Sequence, residues 1–398
     1  MAIELSNITF TDEDDIVPAS GVERIFNTGI ANTLAGDDII NGESGNAFPS
    51  SGPPEHGAIF NTGTLNTDGG NDRITGIYND QSNIRPRANG IYNLEGIIDT
   101  GDGNDIIMSF INSLDNSVVG ILNEKSIIDM GDGDDTISSI DNTTNRFIFD
   151  YTFGIYSVSS TLNTGNGDDL ITGNATESGI YIFLGTLNTG NGNDIIRGSG
   201  GSQGIINFQA TFNTSGGNDI VTGTGGFTGI HNGGHMNSGD GDDIITGLNT
   251  KEGGIGIDNS SGYPEYSAII DTGNGNDTII GSGTGGIINY GTINTGNGED
   301  SIIADGSAYG GFIGTGSVFL GNGKDYLKGF GSGNFNGGNG KDTLELTSGS
   351  YTVRISPAGW NFAKDGIIMN TVGFEQLIAG EQTYDFTSLT PGQKIFVA

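Results

Sequence analysis

The stretch Leu187-Asn-Thr-Gly-Asn-Gly-Asn-Asp-Ile-Ile196 decides the reading of this chain. Two glycines bracket an asparagine, an aspartate follows, and an isoleucine stands two positions after it. Ile270–Ile279 is a near copy. The Gly-x-Asp turn recurs twelve times, at Asp38, Asp72, Asp105, Asp135, Asp169, Asp194, Asp219, Asp243, Asp277, Asp300, Asp325 and Asp342, always with an apolar residue two positions later. Nine copies complete Gly-x-Gly-x-Asp, and those at Asp38, Asp72 and Asp219 are degenerate. Residue types held in step over so many copies imply a repeat architecture, because each unit can bury its apolar residues only against a neighbour.

A second element precedes most of these turns, as in Gly90-Ile-Tyr-Asn93, Gly204-Ile-Ile-Asn207 and Gly286-Ile-Ile-Asn289. The distance from its Ile to the next Asp is nearly constant, whereas the return distance varies. Each unit therefore has a rigid segment and one that accepts insertions. Runs such as Asp194-Ile-Ile-Arg197 are too short and too Gly-bounded for helices. The expected fold is all-β: a parallel β-solenoid, of the β-helix or β-roll kind, with coils of about 24–34 residues. Residue types would then stack every ~4.8 Å along the axis. Ile196, Val221 and Ile245 form one expected apolar row, and Ile180, Ile205 and Ile230 another. The pairs Asn163-Thr164, Asn188-Thr189 and Asn213-Thr214 are expected as polar ladders on an outer edge, where stacked amides and hydroxyls satisfy one another.

Residues 1–25 read as an N-terminal cap, with Asp12-Glu-Asp-Asp15 covering a strand edge. Residues 26–345 read as the solenoid. Residues 346–398 lose the repeat and gain Tyr351-Thr-Val-Arg-Ile355, Trp360 and Tyr384-Asp-Phe386, so they read as a β-rich C-terminal cap.

The hydrophobic fraction of 33% is below the roughly 45–50% of ordinary domains. With a net charge of −34, composition alone would suggest disorder, but the repeat argues against it. The 14 Lys and Arg are scattered, so nucleic acid and anionic membranes are not expected partners. Without cysteine there is neither a disulfide nor a thiolate metal site. No stretch approaches the ~18 apolar residues of a membrane span. The N-terminus carries no basic segment followed by an apolar one, so any export is expected to proceed without an N-terminal signal peptide.

Successive coils would bring aspartate carboxylates to within about 5 Å, a repulsion of roughly 3 kcal/mol per pair at an effective dielectric near 20. A dozen such contacts would rival a domain's whole stability of about 5–15 kcal/mol. Either the side chains splay into water or a cation sits between coils. The glycines permit backbone conformations that aim carbonyl oxygens inward, and Ca²⁺ takes about 6–8 oxygen ligands. The ligand set is oxygen only, which excludes zinc as a general feature. The expected calcium ligands are Asp105, Asp135, Asp169, Asp194, Asp219, Asp243, Asp277, Asp300, Asp325 and Asp342, joined by Asp38 and Asp72 from degenerate turns.

These turns resemble the Gly-Gly-x-Gly-x-Asp-x-apolar-x nonapeptide of RTX, or haemolysin-type, calcium-binding proteins. Gly337-Gly-Asn-Gly-Lys-Asp-Thr-Leu-Glu345 fits it at every position. In the RTX β-roll the turn returns every nine residues, and here it returns once per coil, so the resemblance implies calcium along one edge. The C-terminal region, through Gly366-Ile-Ile-Met-Asn370, Phe374-Glu-Gln-Leu-Ile-Ala379 and Tyr384-Asp-Phe386, is similar to the bluetail sorting domain of cyanobacterial surface proteins. Together these resemblances imply an extracellular or cell-surface protein exported by type I secretion, which folds as it meets calcium outside.

The expected role is structural, adhesive or matrix-forming, with calcium, extracellular polysaccharide and other surface proteins as partners. Acids are spread evenly and bases are isolated, so no catalytic constellation is visible. A β-helix polysaccharide lyase or hydrolase stays as an alternative. So does ice or polysaccharide binding through Thr164, Thr189, Thr214, Thr272 and Thr295. Gly281–Gly286 matches a dinucleotide fingerprint by glycine abundance alone. His231 and His235 are expected in solvent. The insertions Asn41–Gly57 and Gly76–Asn89, with Arg85-Pro-Arg87, fall on the variable side of the coil.

Overall fold

A computed structural model describes residues 2–18, 23–44, 57–80, 88–113, 117–142, 151–262, 267–306, 311–357 and 359–398. Most of the two insertions, including Arg85-Pro-Arg87, lies outside the described residues. The chain is nearly all β and divides into two compact units. One comprises Met1–Ile206 with Ala210–Thr214, the other Asn207–Gln209 with Ser215–Ala398. Both are built from parallel strands stacked as a β-solenoid.

A typical coil of the first unit has three strands: Ser178–Phe183, Thr186–Asn188 and Ile195–Gly200. Each pairs in parallel with the equivalent strand of the preceding coil, with Ile180 on Ile155, Leu187 on Leu162 and Ile196 on Ile171. Strand alternation sends these residues inward, and all six are fully buried. The interior is three apolar rows, one per strand. Val17, Ile40, Ile74, Ile107 and Ile137 extend one of them towards the N-terminus. The second unit repeats the scheme, with Ile245, Ile279, Ile302, Leu327 and Leu344 in one row and Met236, Ile270, Ile293, Val318 and Phe335 in another.

The interior is pinched where glycine faces glycine. A Cβ on Gly198 would sit 2.3 Å from Gly204 O, so the two backbones touch and no side chain fits. The Asn of the Gly-Ile-x-Asn element turns inward at the neighbouring corner. Asn61 Nδ2 donates to Asn93 Oδ1 (2.8 Å) and to Ile97 O (2.9 Å), and Asn93 Nδ2 to Asn123 Oδ1 (3.0 Å) and Ile127 O (2.8 Å). In the second unit Asn207, Asn232, Asn259 and Asn289 form the same buried ladder.

Residues 2–17 form a coil of their own. Ala2–Glu4 pairs with Arg24–Asn27, and Ile16–Val17 with Ile39–Ile40. Asp14 and Asp15 are a rung of the Asp turns, with Asp37 N–H donating to Asp14 Oδ1 at 3.0 Å. At the other end, Gln376–Ala379 and Ile367–Val372 add to the solenoid in parallel. An antiparallel meander of Gly349–Ser356, Gly359–Lys364 and Lys394–Val397 then takes over. Its core is aromatic, with Phe330 edge-on to Tyr351 and Phe362 edge-on to Phe386.

Candidate functional site: the buried aspartate row

The Gly-x-Gly-x-Asp turn places three residue rows side by side. The two x positions point outward and form exposed ladders: Asn191 Nδ2 donates to Asn166 Oδ1 (2.7 Å), Asn166 Nδ2 to Asp132 Oδ1 (2.7 Å), and Asn193 N–H to Asp168 Oδ1 (2.7 Å). The aspartate itself turns inward. A positive φ at both glycines, +82° and +148° at Gly101 and Gly103, makes the sharp bend, a conformation glycine takes without penalty. The stacking also demands glycine, since a Cβ on Gly103 would lie 1.6 Å from Gly70 O.

All twelve aspartates predicted from the turns are at most 1% exposed. They do not splay into water: within each unit the backbone N–H of one aspartate donates to the carboxylate of the next coil. In the first unit, Asp38 N–H donates to Asp72 Oδ1 (2.7 Å), Asp72 to Asp105 (2.7 Å), Asp105 to Asp135 (2.7 Å), Asp135 to Asp169 (2.8 Å) and Asp169 to Asp194 (2.9 Å). In the second, the same bond links Asp219, Asp243, Asp277, Asp300, Asp325 and Asp342.

Two rungs escaped the motif. Asp15 N–H donates to Asp38 Oδ1 (2.7 Å), and Asp342 N–H donates to Glu375 Oε2 (2.8 Å). Asp15 has no turn glycine, and Glu375 keeps one, Gly373, two positions earlier at φ +72°. Both keep the apolar residue two positions on, Val17 and Leu377, but that residue, even with one glycine before a Glu, is too common to identify a rung by itself.

The second carboxylate oxygen is the unsettled one. Oδ2 of Asp38, Asp72, Asp105 and Asp135 in one unit, and of Asp243, Asp277, Asp300, Asp325 and Asp342 in the other, is buried with no hydrogen-bond donor. The threonine five residues earlier explains part of the pattern. Thr164 and Thr189 turn their hydroxyls to Oδ2 of Asp169 and Asp194. Thr67 and Thr100 lie beside Asp72 and Asp105, but a hydroxyl has one proton and theirs goes to the next coil, to Thr100 O (3.2 Å) and Met130 O (3.3 Å).

Burial without charge partners raises these carboxyls. Desolvation is the largest cause throughout, and nearby hydroxyls and backbone N–H groups offset part of it. Asp72, Asp194, Asp277 and Asp325 rise to about 7, Asp105, Asp169 and Asp300 to about 6, and Asp135 to about 8. Asp135 has Met130 where its neighbours have threonine, so no hydroxyl opposes its shift.

Two sequence expectations are corrected here. Thr164, Thr189, Thr214, Thr272 and Thr295 are fully or almost fully buried, so they present no ladder to ice or glycan. Strand alternation leaves the adjoining Asn163, Asn188 and Asn213 half-exposed instead, in an amide ladder running back to Asp129. His231 is not free in solvent: its Nδ1 lies 3.2 Å from Asp258 Oδ2, and Ser260 Oγ donates to Asp258 Oδ1 at 2.7 Å.

In donor type the row fits a hard cation, offering orphaned buried carboxylate oxygens and no nitrogen or sulfur. Among the described residues no group of three or more acidic or histidine side chains converges, so a cation there would rely on backbone carbonyls for the rest of its shell. A scan against protein-family models and a search of curated proteins find no match to this chain.

Proposed function

We propose that this chain is a calcium-stabilised β-solenoid of the cell surface or extracellular space, with a structural, adhesive or matrix role rather than a catalytic one. One observation carries the reading: a row of buried carboxylates, each fixed through Oδ1, leaves nine Oδ2 atoms with no donor. An ionised carboxylate in that position is costly unless a counter-charge meets it. The ligands would be the twelve aspartates of the Gly-x-Asp turns together with carbonyl oxygens of those turns. When bound, calcium supplies neutralisation and bonds that tie one coil to the next. The chain's own part is preorganisation: backbone N–H groups hold each carboxylate in place, and the glycines let neighbouring turns close on one another. Metal affinity is then folding free energy, which suits a protein that stays loose where calcium is scarce and folds where it is plentiful.

A second reading, that protons neutralise the row, is favoured by carboxyls raised to about 6–8. Far-UV circular dichroism and calorimetry of chelator-treated protein at pH 8 separate the two. Calcium, and not magnesium, is expected to raise the unfolding temperature and the strand signal cooperatively. A melting curve indifferent to calcium at pH 8 sinks the calcium reading and leaves the protonated row.

A further inference from the structure

We propose that the corner between the first and second strands of the first unit is a binding groove for a linear, uncharged polysaccharide. An open groove of about 470 Å³ runs across four successive coils there, within the roughly 300–1,000 Å³ of ligand sites.

One wall consists of Glu95, Lys125, Ser159 and Leu184. All four have φ between +51° and +55°, the left-handed region that costs any residue with a Cβ. At the Asp turn of the same coils the positive-φ positions are glycines, Gly101, Gly131, Gly165 and Gly190. Gln209 shares this conformation at φ +51° outside the groove, so the bend belongs to the corner. In a chain with 73 glycines, what marks the groove is that four side chains, not glycines, stand on that bend to line it.

The floor is Gly96, Ser126, Ser160 and Gly185, and nothing larger fits under it. A Cβ on Gly185 would lie 2.3 Å from Ser160 O. The opposite wall is Ile97, Ile127, Thr161 and Thr186, stacked in parallel register, so the same chemistry recurs over three steps of about 4.8 Å.

Repetition, charge and backbone choose the occupant. A site that repeats along the axis suits a polymer whose own units repeat at a similar spacing, as sugars do in an extended β-linked glycan. Isoleucine and leucine meet the apolar C–H face of a pyranose, while the threonine and serine hydroxyls meet its rim. The only charges are Glu95 and Lys125, which pair at 3.5 Å, so the groove is neutral on a molecule of charge −34. Polyanions are repelled by that field, and nothing in the groove attracts a polycation. An added peptide strand finds no free ladder, because the N–H groups of Glu95, Lys125 and Ser159 already donate to Glu124, Val158 and Phe183 carbonyls at 2.8–2.9 Å. This inference does not rest on calcium.

The test is calorimetric titration of cellohexaose, a neutral β-1,4-linked hexaose, into the full chain, with folding checked by circular dichroism with and without calcium. Ile127→Glu is expected to weaken binding at least tenfold. Ile244→Glu, at the same 39% exposure in the other unit, should leave it unchanged. Ser159→Gly and Leu184→Gly should raise the unfolding temperature by relieving strain while weakening the sugar several-fold, a pairing that a merely structural corner would not give. No binding to the wild-type chain, equal binding to Ile127→Glu, or equal loss in Ile244→Glu overturns the proposal. A fold insensitive to calcium changes none of these outcomes, so the two proposals fail separately.

Discussion

Asp135 is 1% exposed, accepts the Asp105 N–H through Oδ1 and carries an unpartnered Oδ2. Its charge, not its shape, is the liability, so the two obvious substitutions should diverge. Asp135→Asn keeps the acceptor and removes the charge, and is expected to raise the metal-free unfolding temperature at pH 8 while blunting the calcium response. Asp135→Ala strands a buried N–H and should cost about 1–3 kcal/mol in urea unfolding. The pH dependence follows from the same residues. Their folded pKa values, about 6–8 against an ordinary 3.8, mean that the folded state holds more protons between those limits. Stability is therefore fully present below pH 4 and falls as pH rises towards 8. The urea midpoint of chelator-treated protein should drop from pH 5 to pH 8, and a flat profile would show that the row is neutralised some other way.

At the scale of the coil, contacts between backbones set the tolerances. Gly198 faces the Gly204 carbonyl, and Gly198→Ala forces the two strands apart. A loss of about 1–3 kcal/mol is expected from such overpacking. Gly69 has its nearest neighbour at 3.6 Å, in ordinary contact, so Gly69→Ala should be nearly neutral. Equal thermal shifts for the two would refute the pinched interior. The Asn ladder works at this scale too. Asn93 serves a neighbouring amide and a carbonyl of the following strand, which is why the Gly-Ile-x-Asn element holds its spacing to the Asp turn while the opposite segment varies.

For the whole molecule the governing quantity is charge. With 48 acids against 14 bases, self-repulsion opposes the compact state, and among the described residues few ion pairs offset it. Those at Lys125–Glu95 and Lys324–Glu299 are exposed, where pairs contribute little. Sodium chloride should thus raise the unfolding temperature of metal-free protein by screening. Calcium should do so at far lower concentration if it binds sites, and with similar potency to magnesium if it only screens.

The repeat period, the apolar residue two places after each Asp and the Gly-bounded short runs were enough to determine a parallel β-solenoid. Alternation in step with a turn admits no other way to bury Ile171, Ile196 and their equivalents. Twelve rungs of the Asp row were legible for the same reason. Only the tertiary structure decided which way each side chain faces. It put Thr164 and Thr189 inside and Asn163 and Asn188 outside, because a three-residue strand reads the same from either face until its neighbours are placed. It also supplied Asp15, which has no glycine turn, and Glu375, where a glutamate after the single glycine Gly373 stands in for the motif. The strained corner at Glu95, Lys125, Ser159 and Leu184 had no trace in residue type, since those four share a backbone conformation and nothing else.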